Sequence, residues 1–190
     1  MKNGSRRIVI VEGHPDPSDE RFGHALAEAY AAGALEAGHA VRRVRIADLD
    51  VPPLRSQQDW NHGTLPGDLL PGQQAVGWAD HIVLLYPLWL GAMPALLKAW
   101  LEQCLRPGFA LDADTPGKFR HSALKGKSAR VVVTMGMPAL AYRWFYRAHS
   151  LKSLERNILR FTGIGPIRES LIGMVAAPDP RGRQRWLARM

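Results

Sequence analysis

Trp89 and Leu90 stand in a stretch whose composition suits a ligand shelf. The run before them, residues 81–86 (HIVLLY), reads as a buried strand that stops at Pro87. A helix then opens with Pro94 near its first turn, where a missing N–H costs nothing. Most strand-to-helix loops are polar and wet, whereas Pro87, Leu88, Trp89 and Leu90 carry no charge. Open α/β sheets bind ligands at the C-terminal ends of their strands, and an apolar shelf there suits a flat aromatic cofactor. Packing of Trp89 on a neighbouring helix explains the residue equally well, and both readings stand.

Two further loops carry groups with chemical potential. The first follows an apolar strand and reads GHPDPSDERFG over residues 13–23. It leads into a helix, whose free N–H groups and dipole favour a phosphate. His14 and Arg21 can add charge-assisted donors. Ser18 can cap the helix or touch phosphate, capping being the commoner use. Asp19 and Glu20 would repel phosphate and are expected to point outward. The other loop, Thr134, Met135, Gly136 and Met137, follows a later strand, and its glycine allows close backbone approach to a flat ring. Tyr142 and His149 follow in an aromatic stretch, each open to a packing or a catalytic reading. The lone Cys104 sits beside Leu101 and Leu105 and reads as a plain buried thiol.

Alternating strand-type and helix-type segments must position these loops. Strands are expected over 6–12, 39–46, 81–86, 129–134 and 166–175. Helices are expected over 21–37, 73–80, 94–105, 140–162 (broken near 149–150) and 179–190. A long Pro- and Gly-rich loop, 48–72, with at most a short helical turn, has the character of a lid, and a second loop spans 106–127. Right-handed crossovers make this one α/β domain, a three-layer sandwich over residues 1–190. Strand order 2-1-3-4-5, the flavodoxin-like arrangement, places the loops after the first and third strands at its switch point; order 3-2-1-4-5 would suit a dinucleotide fold, whose G-x-G-x-x-G the first loop lacks.

Composition narrows the function classes. At 46% hydrophobic and 22% charged, the chain has material for a substantial core. One cysteine excludes an internal disulfide framework and points to a reducing compartment. The apolar run 8–11 is far shorter than a signal or membrane segment, so a soluble, cytoplasmic protein without membrane insertion is expected. No cluster has metal-ligand spacing, so no metal is expected. The formal charge of +8 fits anionic substrates or a solvated surface. Its arginines are scattered without an aromatic-and-basic stripe, so no nucleic-acid partner is expected.

The motifs together resemble a family. Gly13-His14-Pro15 is similar to its first-loop motif, and Phe22 with Ala25-Leu26 to its helix start. Pro87-Leu88-Trp89-Leu90, then Met93-Pro94-Ala95-Leu96-Leu97-Lys98-Ala99-Trp100-Leu101-Glu102, resembles its strongest signature, P-x-W followed by P-A-x-L-K-x-W and an acid. Arg106-Pro107-Gly108-Phe109-Ala110 matches its P-G-F-A turn. The family is the flavodoxin-like NAD(P)H:quinone oxidoreductases, with mammalian quinone dehydrogenases and bacterial drug-modulator and potassium-efflux-ancillary relatives. The resemblance runs from about Ile8 to Val175. Glu20-Arg21-Phe22-Gly23 stands where the family has a small hydroxyl residue and an asparagine, and Thr134-Met135-Gly136-Met137 where it has T-T-G-G.

The resemblance implies a flavin, FAD or FMN, and NAD(P)H as co-substrate. A hydride would pass through the flavin to a quinone or similar acceptor by a ping-pong sequence. His14, Ser18, Arg21, Phe22 and Gly23 would hold the flavin phosphate. Backbone at Pro87, Leu88, Trp89 and Leu90 would meet the ring's polar edge, and Thr134, Met135, Gly136 and Met137 the other edge. Tyr142 and His149, which match the family's Tyr and His, would act as catalytic donors. The density of Tyr142, Trp144, Phe145 and Tyr146 suggests a homodimer with the site at the seam. An electron-carrier flavoprotein, usually acidic, and a flavin-binding subunit of a membrane transporter are the competing readings.

Overall fold

Runs of valine, isoleucine and leucine supply the strands, and their register joins them into one parallel sheet. In the computed structural model, which describes residues 4–111, 124–176 and 179–190, the strands are β1 (Arg7–Glu12), β2 (Ala40–Arg45), β3 (His81–Pro87), β4 (Ser128–Thr134) and β5 (Ile167–Ile172). Their order is β2-β1-β3-β4-β5, so the flavodoxin-like alternative is the one adopted. The helices are α1 (Phe22–Glu36), α2 (Gln57–His62), α3 (Leu70–Trp78), α4 (Ala95–Cys104), α5 (Ala139–Trp144), α6 (His149–Ser153) and α7 (Pro180–Leu187).

Strand alternation builds a core on each face. Val9, Val11, Leu84, Val131 and Val133 meet Leu97 and Trp100 of α4, Val76 of α3 and Leu151 of α6. Ile10, Val83, Leu85, Val132 and Ile172 meet Leu26, Ala27 and Ala31 of α1, with Trp186 and Leu187 of α7 alongside. Side chains as fully buried as Leu26 and Leu97 each contribute about 2 kcal/mol.

Several boundaries differ from the periodicity, for local reasons. The 48–72 segment holds α2, capped by Ser56 Oγ accepting from the Asp59 amide at 3.0 Å. It is tied down rather than loose: Arg106 Nη1 donates to the Asp59 carbonyl at 2.7 Å, and Gln103 Nε2 to the Pro52 carbonyl at 2.6 Å. Helix α3 starts at Leu70, with Pro71 in its first turn, where proline is tolerated. The helical break expected near 149–150 lies two residues earlier, where Arg147 and Ala148 both take positive φ, 52° and 48°. Beyond Ser153 the chain continues as a π-helical stretch, Leu154–Arg160. Strand β5 ends at Ile172, because the next residues turn to bond the Met135–Met137 loop: Met174 N reaches Met137 O at 3.2 Å and Val175 N reaches Met135 O at 3.1 Å. Residues 112–123 of the loop expected over 106–127 lie outside the described residues.

Candidate functional site

The loop after β1 folds tightly against the strand beside it. Gly13 N donates to Leu85 O at 2.7 Å. A Cβ on Gly13 would lie 2.7 Å from Leu97 Cδ2 and 3.1 Å from Leu85 O, so a larger residue would displace Leu97 and crowd the β3 backbone. His14 Nδ1 accepts from the Asp16 amide at 3.0 Å, leaving Nε2–H as the ring's free donor. Burial first, then the nearby His24 and Arg21, holds the His14 imidazole below its ordinary range. His14 therefore offers a neutral donor near pH 7, not the charge-assisted one expected.

Arg21 also departs from expectation. Its guanidinium grips Asp16, with Nε and Nη2 each 2.7 Å from Oδ2. The same carboxylate accepts from the Ser18 amide at 2.9 Å, the largest cause of its depressed pKa. Ser18 does not cap α1; its hydroxyl accepts from the Glu20 amide at 3.4 Å. Arg21 occupies the N-cap position in extended backbone and no side chain caps the helix. The amides of Phe22 and Gly23 have no acceptor among the described residues, and the first turn holds no acid. Asp19 turns outward to Arg45, 2.9 Å away. Open amides at the positive end of a fifteen-residue helix, beside the His14 donor, fit a phosphate.

Beneath this loop lies a buried ionic cluster that the sequence reading did not single out. Glu12, 2% exposed at the end of β1, meets His24 Nδ1 at 2.6 Å and Arg43 Nε at 2.9 Å. The other His24 nitrogen lies 3.2 Å from the Asp16 carbonyl. Both partners of the ring are acceptors, so the cluster ties α1 and β2 to the loop carrying His14. A carboxylate directly after the apolar run 8–11 was its one sequence signal.

The shelf after β3 reaches both neighbours. Leu88 N donates to Thr134 O at 2.7 Å, joining it to the β4 loop. The Trp89 ring stands edge-on to His14, with centroids 5.6 Å apart. Trp89 and Ala92 exchange backbone hydrogen bonds at 2.9 Å, and Leu90 and Gly91 between them have φ of 45° and 79°. Two positive φ values define a type I′ turn; Gly91 suits it, while Leu90 is strained there and fully exposed. The amides of Leu88 and Trp89 are thus engaged within the protein. Met135 is buried, and Gly136 is the exposed point of its loop.

Tyr142 and His149 are placed differently. Tyr142 is 2% exposed; its hydroxyl lies 2.7 Å from Ser150 Oγ and accepts from the Leu151 amide at 3.2 Å. That bracket closes the corner between α5 and α6. His149, exposed, opens α6. The other aromatics of the stretch do reach the surface, Trp144 at 76% and Phe145 at 80%. Cys104 is buried, and burial pushes its thiol up to about 12, so it is not a nucleophile. Among the described residues no group of His, Cys, Asp and Glu has metal-binding geometry, and no helix is long and apolar enough to cross a membrane.

Residues 6–190 match the family described as Flavodoxin-like fold. An uncharacterized NAD(P)H oxidoreductase of Haemophilus influenzae is 28% identical over 94% of this chain and 89% of its own length. The human ribosyldihydronicotinamide dehydrogenase [quinone] is 33% identical over 70% of this chain, which spans 64% of that enzyme. An NAD(P)H:quinone oxidoreductase from Methanothermobacter marburgensis has the same fold, with a TM-score of 0.81, 23% identity, and coverage of 98% of this chain and 94% of its own.

Proposed function

The chain belongs to the flavodoxin-like fold family of NAD(P)H:quinone oxidoreductases, and we propose on that premise that it binds a flavin and reduces a quinone or similar acceptor with NAD(P)H in a ping-pong sequence. The observation that carries this reading is the convergence of three loops at one end of the sheet. His14 touches Trp89, and Leu88 bonds Thr134. Bound flavin supplies hydride acceptance and donation. The residues around it bind, orient and shield.

The Phe22 and Gly23 amides and His14 Nε2–H take the phosphate, in keeping with the open helix end. Arg21 shapes the loop through Asp16, with Ser18 inside the same turn. Pro87, Leu88, Trp89 and Leu90 give the ring an apolar wall and keep water from it. Thr134, Met135, Gly136 and Met137 border the opposite edge, with Gly136 allowing close approach. His149, exposed, is the better placed proton donor; Tyr142 acts through the corner it braces. We further propose that Leu140, Trp144, Phe145 and Tyr146, all exposed, form a homodimer seam. The +8 charge fits anionic nicotinamide nucleotides better than it fits a small electron carrier.

The test is direct. The purified protein takes up FMN or FAD at fixed stoichiometry, NAD(P)H bleaches the flavin, and a quinone restores it. Initial rates at varied concentrations of both substrates give parallel double-reciprocal lines. Failure of both flavins to bind the folded protein overturns the reading; intersecting lines overturn the ping-pong order alone.

A further inference from the structure

The α1 face of the sheet changes character toward the N-terminal ends of the strands. Nearer the C-terminal ends it is apolar, through Ile10, Val83, Leu85, Val132 and Ile172. One and two pleats back, the positions on that same face are His81, Arg130 and Ser170, then Ser128 and Arg168. Register places these groups side by side: His81 opposite Ser128, and Arg130 opposite Arg168. A sheet face beneath a helix ordinarily continues its core. Here it opens instead into a cleft of about 750 Å³, walled by Tyr30 and Ala34 of α1 and reached by Arg6 and His39.

The cleft concentrates positive charge. Among the described residues, none of Arg6, Arg130 and Arg168 pairs with an Asp or Glu side chain; Glu169, on its rim, is bonded to Arg143. Arg130 is aimed and held: it donates to Ser170 Oγ at 3.1 and 3.3 Å and to Met190 O at 3.5 Å, and its guanidinium lies 5.5 Å from the Tyr30 ring. Burial, then Arg6, Arg130 and Arg168, pushes the His81 imidazole down to about 4. Three like charges sharing a concave surface repel one another, and an anion relieves that repulsion. The remaining lining, Ile8, Ala37, Pro166 and the Tyr30 ring, is apolar and suits an organic body rather than a bare ion.

We propose that this cleft is a second ligand site, which binds a small phosphate ester with an aromatic or apolar body, of the size of a nucleoside monophosphate. Arg6, Arg130 and Arg168 take the phosphate with the Ser128 and Ser170 hydroxyls, and the body lies along Tyr30 and Pro166. The site is at the end of the sheet opposite His14 and Trp89, so it stands independently of the flavin reading.

Histidine NMR of the full-length protein, with and without saturating flavin, tests it. Millimolar AMP at low salt is expected to shift the His81 ring resonances and raise the pH at which they titrate, in both forms. Arg168→Ala and Arg6→Ala should each weaken AMP binding about tenfold, as loss of a charge-assisted contact does. Flavin uptake by both variants should equal that of the parent protein. An unmoved His81, equal binding by adenosine, equal binding by inorganic phosphate alone, or unchanged affinity in both arginine variants would each overturn the assignment.

Discussion

At the scale of single residues, strain and satisfaction separate the roles. A leucine with positive φ costs about 1 kcal/mol, whereas asparagine tolerates the conformation. Leu90→Asn is therefore expected to raise stability by about 1 kcal/mol, read as a higher urea midpoint, while raising KM for the acceptor as the apolar wall is lost. A midpoint that falls would show the strain argument wrong. His14→Ala removes a donor from the phosphate end and should weaken flavin about tenfold or more, since a hydrogen bond to a charged group contributes about 1.5–3 kcal/mol; equilibrium dialysis checks this. Tyr142→Phe should lower stability by about 1–2 kcal/mol, because Ser150 and the Leu151 amide lose a buried partner. His149→Ala should instead slow turnover with stability unchanged. Chemical denaturation beside stopped-flow reoxidation separates the two, and a Tyr142→Phe protein of parental stability that reoxidises slowly would reverse these roles.

Elements are coupled by groups that join them across the sheet. Glu12 of β1 holds His24 of α1 and Arg43 of β2. Its replacement in Glu12→Gln takes the carboxylate from His24 and leaves Arg43 with Glu28 alone, a loss of about 2 kcal/mol. Flavin should weaken with it, because His24 also holds the Asp16 carbonyl. Unaltered flavin affinity in a folded Glu12→Gln protein would show that the cluster does not support the loop. His81 links β3 to β4 through Ser128 Oγ, 2.8 Å away, under the charge of Arg6, Arg130, Arg168 and His39. Its folded pKa of about 4 is below its unfolded value, so the unfolded chain binds more protons between them. Stability is thus full above the unfolded value, near 6.5, and falls as pH drops toward 4. His81→Asn should flatten that part of the denaturation-midpoint profile, and an equal slope in the variant would contradict the assignment.

For the whole molecule, the exposed aromatics decide the expected assembly. Trp144, Phe145 and Tyr146 reach solvent together, Phe145 edge-on to Tyr146 at 5.0 Å. The positive φ of Arg147 and Ala148 turns the chain directly after them. An apolar patch held outward by a turn is a surface for self-association. Light scattering of the flavin-loaded protein is expected to give a dimer, and Trp144→Ser with Phe145→Ser a monomer. A monomeric parent protein at micromolar concentration would remove the seam from the reading. Tyr142, grouped with this patch by sequence, belongs to the core instead.

How much was legible follows from how local each signal is. The apolar runs at 8–11, 82–86 and 131–133 determine strands because alternation and branching act within a few residues. The helical spacing of Leu97, Trp100, Leu101 and Cys104 likewise determines α4 and its buried face. The strong Pro87–Trp100 pattern identified the family, and through it the order of the sheet. Partners across the fold were not legible, since they depend on register between distant segments. Arg21 facing Asp16, the Tyr142 hydroxyl closed by Ser150, and Glu12 joined to Arg43 thirty-one positions away are settled only when strands and helices are packed. The same register gathers Arg130 and Arg168, scattered along the chain, into one cleft with Arg6: strand alternation sends the two to the α1 face, parallel pairing sets them side by side, and Arg6 reaches in from just before β1.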